Sequence, residues 1–178
     1  MNYVDNGKGL LLPEKQKLIV GGKFFGQIVR DGKIIEEFED ANLVVNEGLD
    51  ALLNIMFHGS TQVTAWYIGL FEGNYTPVGS VTAATIVAAA TECTAYSQST
   101  RPAFDEAAAS SQQITNSASR ATYTFNATKT VYGAFLSSLS TKSGTTGTLF
   151  SAARFSTAKN VESGDELLLT YTFTAASV

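Results

Sequence analysis

The chain has 178 residues, a length that suits one core domain with an appendage. Only 16% of residues are charged, against a usual ~25%. With a net charge of −4 and no Lys/Arg cluster, this excludes a basic patch for a nucleic-acid backbone. A single cysteine, Cys93, rules out an intrachain disulfide, and no apolar run approaches the roughly 20 residues of a membrane-crossing helix.

Residues 1–22 have no clean period and are broken by Gly7, Gly9, Pro13, Gly21 and Gly22. They read as an extended arm with apolar anchors Leu10, Leu11, Leu12, Leu18 and Ile19, or else as a disordered terminus. Met1 to Gly9 is polar, unlike a secretory leader, so folding in a cytoplasm is expected. Phe24 to Arg30 and Lys33 to Phe38 form a β-hairpin across Asp31-Gly32, a pair that accepts positive φ at both turn positions. Leu43 to Val45 continues as a short strand.

A helix follows at about 47–58. Asn46 is its expected cap, Glu47 and Asp50 place negative charge at its positive end, and Gly59 ends it. Leu49, Leu52, Leu53 and Met56 recur at helical spacing and make one apolar stripe, expected to lie on a sheet. Val63 to Phe71 is apolar on both faces and reads as a central strand. Glu72 to Ser80 is a loop. Val81 to Thr91 is either a short helix capped by Thr82 or a loop packed by its methyl groups. Glu92 to Ala109 is irregular or an edge, since Pro102 does not suit a central strand.

From Gln112 onward the period is close to two. Gln113 to Thr115 is a short strand, and Ala121, Tyr123 and Phe125 share an inward face in the next. In Thr130 to Leu139, parity puts Val131, Phe135 and Leu139 on one face and Tyr132 and Leu136 on the other. Ser140 to Gly147 reads as a flexible polar loop, Leu149 to Phe155 as a strand, and Val161 to Asp165 as a tight turn. In the last strand Leu167, Leu169, Tyr171 and Phe173 point inward, and Thr170, Thr172 and Thr174 outward. Short strands with turns about every ten residues predict a mainly β fold, an antiparallel β-sandwich or jelly roll. The arm and hairpin (1–41) would project from a body formed by residues 42–178.

The residues give little support for chemistry. His58 is the only histidine, which leaves a triad to that one residue. One His and one Cys do not make a zinc set. Asp105, Glu106 and Asp165 lack the spacing of a calcium loop. Glu36 and Glu37 are adjacent on a strand, face opposite ways and read as a solvated edge. Gly144 to Gly147 lacks the lysine and helix of a phosphate loop. Trp66, Tyr67 and Phe71 fit core packing better than sugar stacking. No catalytic, cofactor or metal residues are assigned, and no enzymatic activity is expected.

Taken together, Asn42 to Leu53, Trp66 to Leu70, Arg101-Pro102, Thr145 to Leu149 and Gly164-Asp165 resemble a family of small structural proteins of tailed bacteriophages and prophages, the capsid decoration (cement) proteins. The resemblance spans about Asn42 to Ala175 and is weakest over residues 1–41. It implies a sandwich or jelly-roll body, assembly in the host cytoplasm, a place in the virion and the major capsid protein as partner. Self-association as a homo-oligomer is also expected, without nucleic acid or membrane. The expected capsid contact is the arm and hairpin: Leu10, Leu11, Leu12, Leu18, Ile19, Phe24, Phe25, Ile28, Ile34 and Phe38. A tail, collar or baseplate component, such as a fibre or host-binding module, is the alternative.

Overall fold

The computed structural model describes residues 3–5, 11–13 and 17–177, with side chains from Lys17 to Ser177. In chain order the strands before the first helix are β1 (Tyr3–Asp5), β2 (Leu11–Pro13), β3 (Leu18–Arg30), β4 (Lys33–Ala41) and β5 (Leu43–Val44). Helix α1 (Asn46–Phe57), β6 (Trp66–Phe71) and helix α2 (Ala83–Ala90) follow. Next come β7 (Glu92–Cys93), β8 (Ala103–Phe104), β9 (Gln113–Thr115), β10 (Ala121–Thr124), β11 (Lys129–Ser137), β12 (Leu149–Val161) and β13 (Glu166–Ser177).

Alternation builds the first sheet. Leu167, Leu169 and Tyr171 on β13 and Phe24 and Ile28 on β3 are all fully buried. The two strands pair antiparallel along the whole of β13, from Glu166 opposite Val29 to Ser177 opposite Leu18. The sheet order is β10-β13-β3-β4, with β9 also on β13. The second sheet runs β5-β12-β11-β6-β7, with β8 also on β6. Every pairing is antiparallel, and the two sheets enclose one core as a β-sandwich.

Asp31 and Gly32 have φ of 51° and 73°, the positive values a two-residue turn needs. The hairpin, however, is not an appendage. Pairing with β13 makes β3 a central strand, and its inward residues, with Phe38 of β4, belong to the core. Gly22 does not interrupt that strand. A side chain there would meet the Thr172 carbonyl oxygen at 2.5 Å, so glycine permits the close approach.

As expected, β6 is buried on both faces. Ile68 and Leu70 face the inter-sheet core, while Phe71 joins a second cluster with Phe135, Leu149 and Ala152. Helix α2 covers that outer face with Ala83, Ile86 and Ala90. Thr82 stands at its N-cap, and Thr85 Oγ1 accepts from the Thr82 N–H at 3.1 Å. The short-helix reading of this stretch is the correct one.

Three further expectations change. A β-bulge between Val131 and Gly133 shifts the phase of β11, so Val131 shares the inter-sheet core with Leu136 while Phe135 faces α2. Simple parity misses that inversion. At α1 the cap position is taken by Val45, and the Asn46 side chain makes no capping bond. Glu47 reaches instead to the start of α2, where its Oε2 accepts from Ala83 N–H at 2.8 Å and from Leu149 N–H at 2.9 Å. That carboxylate replaces a free donor's water at a positive helix end. The segment Ser140 to Gly147 is tied down rather than free. Arg101 and Glu92, both buried, form a bidentate pair at 2.7 and 2.8 Å. Arg101 also donates to the carbonyls of Leu139 and Gly144, and Ser143 N–H donates to Glu92. A buried pair of this kind needs all those bonds to offset its lost hydration.

Candidate interaction surface

Helix α1 is laid on β12 through Gly48, whose missing side chain lets the helix come close. A Cβ there would lie 2.2 Å from the Phe150 carbonyl oxygen. That contact fixes which flank of the helix is buried. Leu49 packs on the core, and Leu52 and Ile55 are half-buried. Leu53, Met56 and Phe57 are 55%, 65% and 81% exposed. The predicted stripe is therefore split: its first part is core and its second part faces solvent. Gly59 does end the helix turn, at φ 72°.

Beside α1 lies an apolar groove of about 230 Å³. Phe104, Leu136, Phe150 and Tyr171 make its buried floor. Ile55, Met56, Val63 and Trp66 form one flank, and Ile114 and Phe173 the other. Gln62 and Glu106 are the exposed polar groups at the rim. The Tyr171 hydroxyl is already used: Asn42 Nδ2 donates to it at 2.8 Å and Ser151 Oγ lies 3.1 Å away. Burial pushes its pKa up to about 12, so it stays a neutral phenol. The floor thus suits an apolar occupant and offers little to a charged one.

The groove opens where the β3–β13 ribbon leaves the body. Phe173 lines it and pairs opposite Gly22. Beyond that point β4 stops, its last partner being Lys23, and Asn42 N–H makes one bond to Gly22 carbonyl at 3.0 Å. Leu18 to Gly21 have no strand on that side among the described residues. Leu18 and Ile19 are exposed there. One end of the sandwich therefore carries a groove, an apolar helix flank and an open strand edge.

The predicted contact residues separate accordingly. Leu18 and Ile19 lie at this end, and Ile34 is exposed at the hairpin tip. Phe24, Ile28 and Phe38 are buried in the core and offer no surface, because they point between the two sheets, Phe24 beside Tyr171 and Phe38 onto Phe155. Phe25 is half-buried, with the Arg120 guanidinium 6.0 Å from its ring centre. Leu11 and Leu12 lie on β2, their side chains outside the described residues, as is Leu10. Helical spacing puts Met56 in the inward stripe and leaves Phe57 out of it, yet both are exposed. The one sequence signal for Phe57 is its place one helical turn after Leu53.

Titratable side chains are spread out. Among the described residues no group of three His, Cys, Asp or Glu is placed to hold a metal. His58 is exposed at the end of α1. Cys93 is buried, and burial pushes its thiol up to about 11. No helix is long and apolar enough to cross a membrane among the described residues. No protein-family model matches the chain, and no curated protein matches it significantly.

Proposed function

We propose that this chain is a bacteriophage virion structural protein, a head decoration protein that binds the capsid shell and stabilises it. The observation that carries the reading is the apolar end: Leu18 and Ile19 on the ribbon with Leu53 and Phe57 on α1. Large apolar side chains left in solvent on two elements favour a docking surface where they join in one patch. The low charge and the Ser/Thr-rich composition suit packing against a larger neutral surface, and the resemblance of Asn42 to Ala175 to decoration proteins supplies the partner, the major capsid protein.

The mechanism is added contact area. Each copy bridges neighbouring shell subunits, burying apolar surface that must be re-exposed before the subunits part. A specific contact of about 1,600 Å² is a standard size, and many copies on one shell add avidity. The open edge at Leu18 to Gly21 can take an extra strand from the shell, with main-chain hydrogen bonds supplying affinity. No bond is made or broken in this scheme, and no cofactor enters it. The place of action is the virion, after assembly in the host cytoplasm.

Electron cryo-microscopy of particles made with and without this chain tests the reading. Density on the head at a copy number near that of the shell subunit is the expected result. Density confined to the tail at a ring's copy number supports the tail-component alternative instead. Unchanged particles overturn both.

A further inference from the structure

The groove beside α1 has one flank in Met56 and an acidic group, Glu106, at its rim. The opposite end of the same molecule carries a matching projection. From Gly22, level with the groove, β3 runs eight residues to Arg30 at the hairpin turn, roughly 26 Å at strand rise. At that tip Ile34 and Ile35 are 54% and 50% exposed. Consecutive strand residues normally face opposite sides, so one would be covered if the tip lay within the sandwich. Neither is.

The register explains why. Ile28 pairs with Glu36 and Val29 with Ile34, so Ile35 is the extra residue of a β-bulge. Bulges re-aim side chains and are built features rather than defects. Next to the two isoleucines is Lys33, exposed and without an ion-pair partner among the described residues. Arg30, at the base of the turn, is engaged by Asp165 and Glu162. Glu106 also has no ion-pair partner among the described residues.

We infer that the occupant of the groove is the β3–β4 hairpin tip of a second copy of this chain, with Ile34 and Ile35 in the groove and Lys33 against Glu106. Two observations select that occupant. The tip pairs an apolar element with a free cation, and the groove pairs an apolar floor with a free anion. The contact joins two different surfaces, so it is heterologous, and copies add head to tail into a ring or an open chain. A tip in a groove buries less than a standard interface, so association is weak in free solution. This inference stands apart from shell binding, which uses Leu18, Ile19, Leu53 and Phe57.

Sedimentation of the full chain without particles tests it. The average mass should rise above the monomer as concentration approaches about 1 mM, the weak end of measurable affinity. Ile35→Glu removes the projection and Met56→Glu blocks the groove. Both positions are exposed, so both variants should fold, with melting temperatures close to the parent's. Each alone should stay monomeric. Mixed, they should form a dimer and nothing larger, because only one intact groove meets one intact tip. Lys33→Glu or Glu106→Lys should each weaken association several-fold, and the doubly swapped chain should recover it. A parent chain that stays monomeric overturns the inference. So does either apolar variant associating like the parent, which would place the contact elsewhere, for example on the β3 edge. A mixture that stays monomeric overturns it as well.

Discussion

Helices α1 and α2 are both rich in apolar residues, yet only one is sealed. Helix α2 buries Ala83, Ile86 and Ala90 against Phe71 and Phe135 and closes the outer face of the second sheet. Helix α1 leaves Leu53, Met56 and Phe57 in solvent. The difference lies in their seats. Helix α2 lies over a broad apolar sheet face. Helix α1 meets β12 at Gly48, which brings only its first turns close. Apolar periodicity thus shows that a helix has an apolar flank but leaves open whether the same chain covers it.

The largest way to break the comparison is Gly48→Val. Its side chain would overlap the Phe150 backbone, so α1 must leave its seat. A loss above about 4 kcal/mol, in the exceptional class for one substitution, is expected in denaturant melts. Ile86→Ala tests the sealed helix, and its loss should fall within about 2–5 kcal/mol. Glu47 links the two helices. Glu47→Ala strands the N–H groups of Ala83 and Leu149 and should cost about 1–3 kcal/mol, read from the same melts.

A charge remote from both helices gives a control. The Arg30 guanidinium, bonded at 2.7 and 2.8 Å, holds the Asp165 carboxyl below its ordinary value of 3.8. A carboxyl with a lower folded pKa stabilises the fold above the ordinary value, and that contribution fades as pH falls through the folded pKa. Asp165→Asn should therefore flatten the acid side of the stability profile, measured by melting from neutral pH downward. A profile as steep as the parent's would show that the pair adds nothing. The smallest effect belongs to the solvent face of α1: Leu53→Ser with Phe57→Ser should change stability by no more than about 0.5 kcal/mol for each.

Much of the fold was legible because it rests on local rules. Asp31-Gly32 announces its turn, and β13 buries Leu167, Leu169 and Tyr171 as alternation predicts, although Thr170, expected outward, is buried too. What was hidden depends on partners distant in sequence. The bulge at Val131 exists only against β12 and inverts the faces of β11. Arg101 and Glu92 look like loop charges until the fold buries them together, 2.7 Å apart. Gly21 and Gly22 read as breaks although Gly22 allows β3 and β13 to meet. Exposure along the hairpin was half visible. Leu18, Ile19 and Ile34 follow from an apolar residue in a polar setting, whereas Phe24, Ile28 and Phe38 have the same pattern and are core. Only the facing sheet decides between them: Phe38 lies against Phe155, while Ile34 on the same strand is left exposed.

The most direct measurement pairs stability with shell occupancy for the chain carrying Leu53→Ser and Phe57→Ser. If that flank is a docking surface, the variant melts like the parent while its copies per particle, counted by cryo-microscopy, fall away. Parent-like occupancy, or a collapse in melting temperature that makes the flank part of the core, would contradict it.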